Sequence, residues 1–590
     1  MAESTLTVKV SLGGAELASP SIVSVNIQNE IGRVPSATIV FIDGDPALKT
    51  FDFSSLESSS PGKDVSISMG YDLDPPEVFS GIVIRHSLKV RGASSVVVLE
   101  CRNKAINMTI GRKTKVTEES DSEVTEDTIL KALFSDYGVT VEASGTFIGH
   151  KGFLQYNVSD WDFMMMRAEV NGKIVYYDSA ASKFMITDPP ATAPAGSLTI
   201  AYGKDIYELE TEADGRTQYK SVGASAWDAD QQALATATAS TDAQFKQLEN
   251  TGVKVSDFSG IFSPPAMNFS HSGMVTKTEL DTWSKAKQVK AGFSKVRGRI
   301  KINGNSTVKI SDSVTLEGLG DKFSGDVFVT GIRHDLDDNG WYTHIQFGLS
   351  SEWFSEKFEV QPRPAAGIMA PANGLHYGKV LKIFEDPAGQ YRIQVKLPIM
   401  DAEAKIWARM VMDDAGSNRG HCFWPEVDDE VVVGFMNDDP RYPVILGQLF
   451  NKKATPPIEP ADKNLEKGFV TKTGIKILFH DEDGKQSLEL VTPGGNSIKI
   501  DDDAKSIALK DQNSNEITMD SSGITIKSAG EIKLNATKNL TLASSGGDVA
   551  TSGVNVKNEA QAKFSASGNA GAEIQTSAIA VLKGSMVQIN

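Results

Sequence analysis

Apolar residues along most of this chain recur at every second position or in short unbroken runs, the spacing of β-strands, and helical spacing is confined to a few stretches. Thr5-Leu6-Thr7-Val8-Lys9-Val10 alternates, so one of its faces is expected to be wet. Val96-Val97-Val98-Leu99 is continuously apolar and suits a strand covered on both sides. A helix is predicted over 126–137, where Ile129, Leu130, Leu133 and Phe134 share a face. A second is predicted over 160–171, capped by Ser159 or Asp160, striped by Phe163, Met166 and Val170, and ended by Gly172. A third fits 276–291, with Leu280, Trp283, Ala286 and Val289 on one face. Residues 228–246, rich in Ala, Thr, Gln and Asp, read as a short helix or an extended surface segment. Strands follow near 295–301, 307–316, 326–333 and 342–348.

Two proline-bearing stretches, Gln361-Pro362-Arg363-Pro364-Ala365-Ala366-Gly367 and Ala454-Thr455-Pro456-Pro457-Ile458-Glu459-Pro460, read as linkers. Between them, 378–384, 391–397, 405–412, 431–435 and 444–450 make five strands, which suits a small barrel of the OB type. The chain therefore divides into a β-rich region at 1–360 with more than one subdomain, a linker at 361–373, a barrel at 374–450, a linker at 451–470 and a last region at 471–590.

That last region carries the strongest physical signal. From Asp481 onward it has one aromatic residue, Phe564, and no Trp, Tyr or Cys, too little to fill an ordinary core. Yet pairs of apolar residues separated by one position keep returning: Ile498/Ile500, Ile507/Leu509, Ile517/Met519, Ile524/Ile526, Ile532/Leu534, Leu540/Leu542, Val554/Val556, Ala562/Phe564 and Val587/Ile589. Starts at 524, 532 and 540, then 554 and 562, step by eight, with Ser, Gly, Asp, Asn and Lys between. One short strand per octad with one apolar face predicts a β-solenoid, and roughly eleven octads over three faces at about 4.7 Å per strand make a needle on the order of 50 Å long. The stripe is too thin for one chain to bury. Three copies wound together would enclose it, with Ile524, Ile526, Ile532, Leu534, Leu540 and Leu542 as the expected trimer core.

Length and charge narrow the function. At 590 residues the chain is too long for one core. Its net charge of −17 argues against nucleic acid and against anionic lipid as partners. Two cysteines, Cys101 and Cys422, exclude a disulfide scaffold and a zinc set. The start, MAESTLTVKV, shows no secretory leader, and no run approaches membrane-helix length.

Several spaced motifs in the barrel carry a family resemblance. Gly378-Lys379-Val380, Tyr391-Arg392-Ile393-Gln394-Val395 and Trp407-Ala408-Arg409 are followed by Ala415-Gly416, Gly420 and Phe423-Trp424-Pro425-Glu426-Val427-Asp428-Asp429-Glu430-Val431. Asp439-Pro440-Arg441-Tyr442-Pro443-Val444-Ile445-Leu446-Gly447 completes them. Upstream stand Ser159-Asp160-Trp161-Asp162-Phe163 with Arg167, Glu169 and Gly172, and Gly325, His334, Thr343 and Phe347-Gly348. Downstream stand Gly474-Ile475-Lys476-Ile477 and Asp481-Glu482-Asp483-Gly484. Together they resemble the VgrG family, the spike proteins of type VI secretion systems and related phage-tail-like contractile injection machines, which look like a tail hub fused to a cell-puncturing spike. The resemblance implies a mainly β fold, with β-barrel-like hub domains and a few helices, an OB-fold barrel, and a C-terminal triple-stranded β-helix or prism needle. It implies a homotrimer whose hub meets inner-tube and baseplate proteins. A PAAR-type tip protein would seat on the open strand ends at Val581, Leu582, Val587, Ile589 and Asn590. Effector cargo would be carried non-covalently, since the sequence ends on the repeat. Without a leader, the protein is expected to be made in the bacterial cytoplasm and delivered by the machine it joins.

No catalytic, metal or cofactor residues are expected. Glu426, Asp428, Asp429 and Glu430 form the obvious carboxylate cluster, but at a proline-initiated turn before a Val-rich strand acids are simply solvated. His421-Cys422 reads as a loop histidine beside a buried cysteine rather than as metal ligands. Trp407, Phe423 and Trp424 read as core and inter-subunit packing rather than as a ligand face. Two other classes are kept: a trimeric tail fibre or adhesin, and a glycan-hydrolysing tail enzyme, which needs converging carboxylates that the sequence does not display.

Overall fold

The computed structural model describes residues 5–589 apart from 19–20, 93, 118–121, 250–252, 401–402 and 404. The chain is mainly β and separates into two compact units, residues 1–374 with 435–442, and residues 375–434 with 443–590.

The first unit is organised by a thirteen-stranded sheet. Ile22–Glu30, Ser36–Ile42, Ser94–Arg102, Glu77–Arg91, Asp64–Gly70 and Thr7–Leu12 follow one another as hydrogen-bonded neighbours. On the other flank of Ile22–Glu30 lie Gly325–Asp337, Gly340–Phe347, Val296–Asn303 and Glu208–Ala213. The seam is an antiparallel ladder that sets Gly331 opposite Glu30, His334 opposite Ile27 and Leu336 opposite Val25. Residues far apart in the chain thus share one sheet. The alternation at the N-terminus is realised as Thr7–Leu12, with Val10 and Leu12 buried and Lys9 and Ser11 half-buried. In the continuous run Val97, Val98 and Leu99 are all buried.

Three longer helices belong to the same unit. Helix α1 (Glu126–Ser135) buries Leu130, Leu133 and Phe134. Helix α2 (Asp160–Val170) starts on the Ser159 hydroxyl, which accepts the Asp162 N–H at 3.1 Å, and is followed by Gly172 with φ +72°. It buries more than a stripe: Trp161, Phe163, Met164, Met165 and Ala168 are all inside. Helix α3 (Lys277–Lys295) is capped by Thr276 Oγ1, which accepts from the Glu279 N–H at 3.2 Å. It runs four residues beyond the predicted end at 291, because its last turn is buried. There Phe293 stacks on Phe245 at 4.0 Å, and Gly292 is required, since a Cβ would lie 2.3 Å from the Phe245 backbone.

The ambiguity at 228–246 resolves as strand. Ala233–Ser240 pairs antiparallel with Ser221–Asp228, and Ala237 and Ala239 are buried. The period-two Ala/Thr alternation outweighs the helix propensity of alanine.

The five predicted barrel strands are all present: β1 (His376–Lys382), β2 (Ile393–Lys396), β3 (Lys405–Met410), β4 (Glu430–Phe435) and β5 (Pro443–Gln448). They close in the order β1-β2-β3-β5-β4, with β3 and β5 parallel, β1 antiparallel to β2 and β4, and β2 antiparallel to β3. Val380, Ile393, Val395, Ala408, Val431, Val433 and Ile445 fill the interior, each at 0% exposure. This is the alternating inward set of a small barrel.

Seven strands follow: β6 (Glu466–Val470), β7 (Lys476–His480), β8 (Ser487–Val491), β9 (Ser497–Asp501), β10 (Ser506–Lys510), β11 (Glu516–Asp520) and β12 (Gly523–Lys527). The first begins five residues before the boundary read at 471. Each pairs antiparallel with the next, so they form one meander rather than a solenoid winding around three faces. The reason is turn length. Asp501, Asp511 and Asp520 accept N–H groups from Ala504, from Asn513 and Asn515, and from Ser522, and these tight turns reverse the chain after every five-residue strand. From 528 to 589 no described residue is paired into a strand within this chain, so a β-helix is not formed by one copy.

A buried ion network ties α1, α2 and α3 together. Glu126, 1% exposed, accepts from His150 Nε2 at 2.6 Å, from Asn171 Nδ2 at 2.8 Å and from Arg167 Nε at 3.1 Å, and Arg167 reaches Glu279 at 3.1 Å. Removing one partner of such a pair leaves a buried charge uncompensated, at a cost of about 3–5 kcal/mol. Arg167→Met is therefore expected to destabilise the first unit by that order, read as a lower urea midpoint and faster hydrogen exchange over 126–171. Arg167→Lys should recover part of the loss.

Candidate assembly interface

The meander presents one apolar face two side chains wide. In each five-residue strand the second and fourth positions point one way, and the register stacks them into columns. One column runs Phe469, Ile477, Leu490, Ile498, Leu509, Ile517 and Ile526. The other runs Phe479, Leu488, Ile500, Ile507, Met519 and Ile524. The row on the opposite face reads Gly468, Leu478, Glu489, Lys499, Ala508, Thr518 and Thr525.

No second layer of described residues covers the apolar face. Among the described residues beyond Ile445 none is buried; in the columns Leu488 and Ile517 are half-buried and the others are exposed, up to 70% at Ile524. A contiguous exposed apolar strip of this kind marks an interaction surface. Covering what remains exposed contributes roughly 1 kcal/mol per large side chain.

Of the predicted core residues, the structure brings Ile524 and Ile526 into this face. Ile532, Leu534, Leu540 and Leu542 it does not: they are exposed and unpaired within the chain, as are Val581, Leu582, Val587 and Ile589. Asn590 lies outside the described residues. The sequence reading missed the beginning of the face, Phe469, Ile477, Phe479, Leu488 and Leu490. The same spaced-pair signal is present in Ile477-Leu478-Phe479 and Leu488-Glu489-Leu490.

The barrel's carboxylates are each engaged. Glu426 lies 2.7 Å from Lys472 Nζ, and Asp428 lies 2.7 Å from Lys379 Nζ. Asp429 accepts from the Glu426 N–H at 2.8 Å and Gln448 Nε2 at 3.1 Å, and Glu430 accepts from Asn451 Nδ2 at 2.8 Å. Phe423 packs on Phe469 at 5.8 Å, so this turn joins barrel and meander through one ion pair and one ring contact. Trp407 is half-buried and Trp424 is exposed. Cys422 is exposed, contrary to the buried cysteine expected, because the short hairpin around Ala415–Gly420 stands off the barrel core. Its neighbour His421 instead lies against Phe423 and Asp413. Among the described residues no group of three or more His, Cys, Asp or Glu is placed to hold a metal ion, and no helix is long and apolar enough to cross a membrane.

Hub sheet, closed five-strand barrel and open apolar face together define a multi-unit β assembly protein. The chain belongs to the family of the Alg8 N-terminal domain, whose profile matches residues 2–338. Residues 376–450 match the type VI secretion system/phage-baseplate injector OB domain. The VgrG resemblance is shown as well. The actin cross-linking toxin VgrG1 of Vibrio cholerae is 27% identical over 159 residues, 25% of this chain and 14% of that protein. The type VI secretion system spike protein VgrG1a of Pseudomonas aeruginosa is 25% identical over 163 residues, 25% of each chain. The match therefore spans a quarter or less of these two relatives' length. Among solved structures, the prophage MuSo2 43 kDa tail protein of Shewanella oneidensis aligns over 59% of this chain and 99% of its own at 11% identity, TM-score 0.45. The E. coli c3393 protein, a type VI secretion component, aligns over 75% and 100% at 11% identity, TM-score 0.39.

Adjacent residues on opposite faces of β10 test the interface. Ile507→Asp should abolish self-association, because it places a carboxylate in the apolar column, where burial without a partner is costly. Ala508→Asp, between Lys499 and Thr518 on the other face, should leave it intact. Light scattering of the two variants distinguishes them.

Proposed function

We propose that this chain is the spike and hub of a contractile injection machine and works as a homotrimer. The observation that carries the reading is the uncovered two-column face of the meander. It continues, from 528 to 589, into repeats whose described residues form no strand ladder within their own chain. Backbone groups and apolar stripes left open in one copy are what neighbouring copies supply. Three copies would turn the meanders into a prism and the later repeats into a triple-stranded β-helix, with Ile532, Leu534, Leu540 and Leu542 at its axis. The family and barrel matches support the hub and injector assignment. The spike names of the curated relatives support the puncturing role.

In this reading the hub meets inner-tube and baseplate proteins, and sheath contraction supplies the work, so the chain turns over no nucleotide and binds no nucleic acid. A PAAR-type tip protein seats on the outer repeats around Val581, Leu582, Val587, Ile589 and Asn590, and effector cargo rides there or in the tube without a covalent link. Sedimentation of the purified chain should give three copies. A folded monomer with a protease-resistant C-terminal region would overturn the trimer.

The reading is not enzymatic. Glu426→Gln with Asp428→Asn should leave particle assembly and injection intact. Loss of injection with normal assembly, or glycan hydrolysis by the wild-type protein, would favour the tail-enzyme reading instead.

Deleting 579–590 should abolish binding of the tip protein in a pull-down while the trimer persists. Unchanged tip affinity in the shortened trimer would move the docking site elsewhere.

A further inference from the structure

His480 closes β7, and the ladder sets it opposite Glu466, the first residue of β6, on one side and opposite Ser487, the first residue of β8, on the other. It belongs to the face opposite the apolar columns, since it stands two positions from Leu478. Both ring nitrogens have a carboxylate for a polar neighbour. Nδ1 lies 2.5 Å from Glu466 Oε1, and Nε2 lies 3.5 Å from Glu482 Oε2 in the turn that follows β7.

An ionised carboxylate only accepts hydrogen bonds. A neutral imidazole has one N–H, so it serves one of the two carboxylates and turns a lone pair toward the other. The imidazolium has two N–H groups and serves both. The arrangement therefore selects the charged ring over either neutral tautomer. The other charges nearby do not reverse this. From β6, Lys467 is held by Asp481 at 3.1 Å and by the Asn464 carbonyl at 2.8 Å. In the turn Lys485 lies 3.3 Å from Glu482, Asp483 adds another carboxylate, and β8 sets only the uncharged Ser487 opposite the ring. The pKa of the ring is accordingly raised above its ordinary 6.5, first by the hydrogen bond with Glu466.

The strand that this contact holds is the first of the meander. Among the described residues β6 pairs with β7 alone, and the chain enters it at Glu466. Three contacts secure its entry end: Glu466 with His480, Lys467 with Asp481, and the Asp481 N–H, which donates to the Leu465 carbonyl at 2.9 Å. Only the first contains a group that titrates near neutrality. We propose that His480 is a pH-sensitive clip on this strand: protonated, it joins Glu466 of β6 to Glu482 of the next turn, and on losing its proton it lets the entry end of β6 fray while the rest of the meander stays paired. Because the folded value is the raised one, the contribution is complete below the ordinary 6.5 and is lost as pH rises through the folded value. The clip lies off the apolar columns and does not depend on the proposed function.

Hydrogen exchange of the full-length protein tests it, read by mass spectrometry at about pH 5.5 and about pH 8.5, where carboxylates stay ionised, and corrected for the intrinsic base-catalysed rate. Protection of 465–468 should fall about two- to fivefold at the higher pH, the range of an exposed ion pair, while that of β9 stays level. The ring resonance of His480, identified by its loss in His480→Gln, should titrate with a midpoint above 6.5. His480→Gln keeps an amide donor but does not titrate, and should flatten the exchange profile. If it fails to fold, Glu466→Gln should lower the midpoint and flatten the profile in its place. A midpoint at or below 6.5 would overturn the proposal, as would equal protection at the two pH values or a pH dependence that both variants retain.

Discussion

A five-residue strand that puts two apolar side chains on one face and short polar ones on the other cannot bury both in a meander only one layer thick. That constraint governs the second unit. The sheet from Glu466 to Lys527 satisfies its own backbone through strand pairing, so its ladder is complete, but its side chains have no opposing layer. Most domains solve the problem with a second sheet or a helix from the same chain. Here the sequence supplies none: the region is almost free of aromatic residues, and its turns are too short to carry a crossover. A second layer has to come from outside the chain, and identical copies, which bring the same two columns in the same register, are the simplest source.

The two stretches of repeat meet this constraint differently. Up to Lys527 the turns hold Asp side chains that accept backbone N–H groups, two of them at Asp511, and the strands fold back on themselves. Beyond it the linking segments are Ser-, Gly- and Ala-rich, and no described residue is paired into a strand within the chain, the bonds there being local ones such as Gly547 N–H to Ser544 Oγ. The first stretch lacks a partner for its side chains, the second a strand ladder as well. An assembly that covers the first therefore has more to gain in the second, which gives the proposed trimer a direction of zippering, from barrel to tip.

Much of the fold was legible because its signals are local. Ser159 and Thr276 cap their helices, and the five barrel strands declare themselves by runs such as Val431-Val432-Val433. What could not be read is long-range. Nothing near Ile22–Glu30 announces that its neighbour will be Gly325–Asp337, because pairing partners are chosen by complementarity of whole faces rather than by any local pattern. The end of α3 was read short because the apolar face Leu280, Trp283, Ala286 and Val289 stops before Gly292, whereas Gly292 lets the helix lie on the backbone of Phe245 and continue. The spaced apolar pairs revealed the stripe but not the direction of its strands. Direction is set by turn length, and the meander's strands begin at 476, 487, 497, 506 and 516, close to a period of ten rather than eight.

Charge follows the same division between what is closed and what is left open. In the first unit several buried ions are matched: Glu126 by Arg167, Lys173 by Asp188, and Lys295 by Glu249. In the meander only the barrel end has a charge in line with a column, Lys467 opposite Phe479, while the ion pairs Lys499 with Asp501 and Lys510 with Glu516 come from first and last strand positions or the central row, on the face opposite the columns. Placed there, they contribute little to stability in water. Their effect is to make the face opposite the columns a poor surface for association. The same charges that add almost nothing to one copy therefore decide which face remains available to join another.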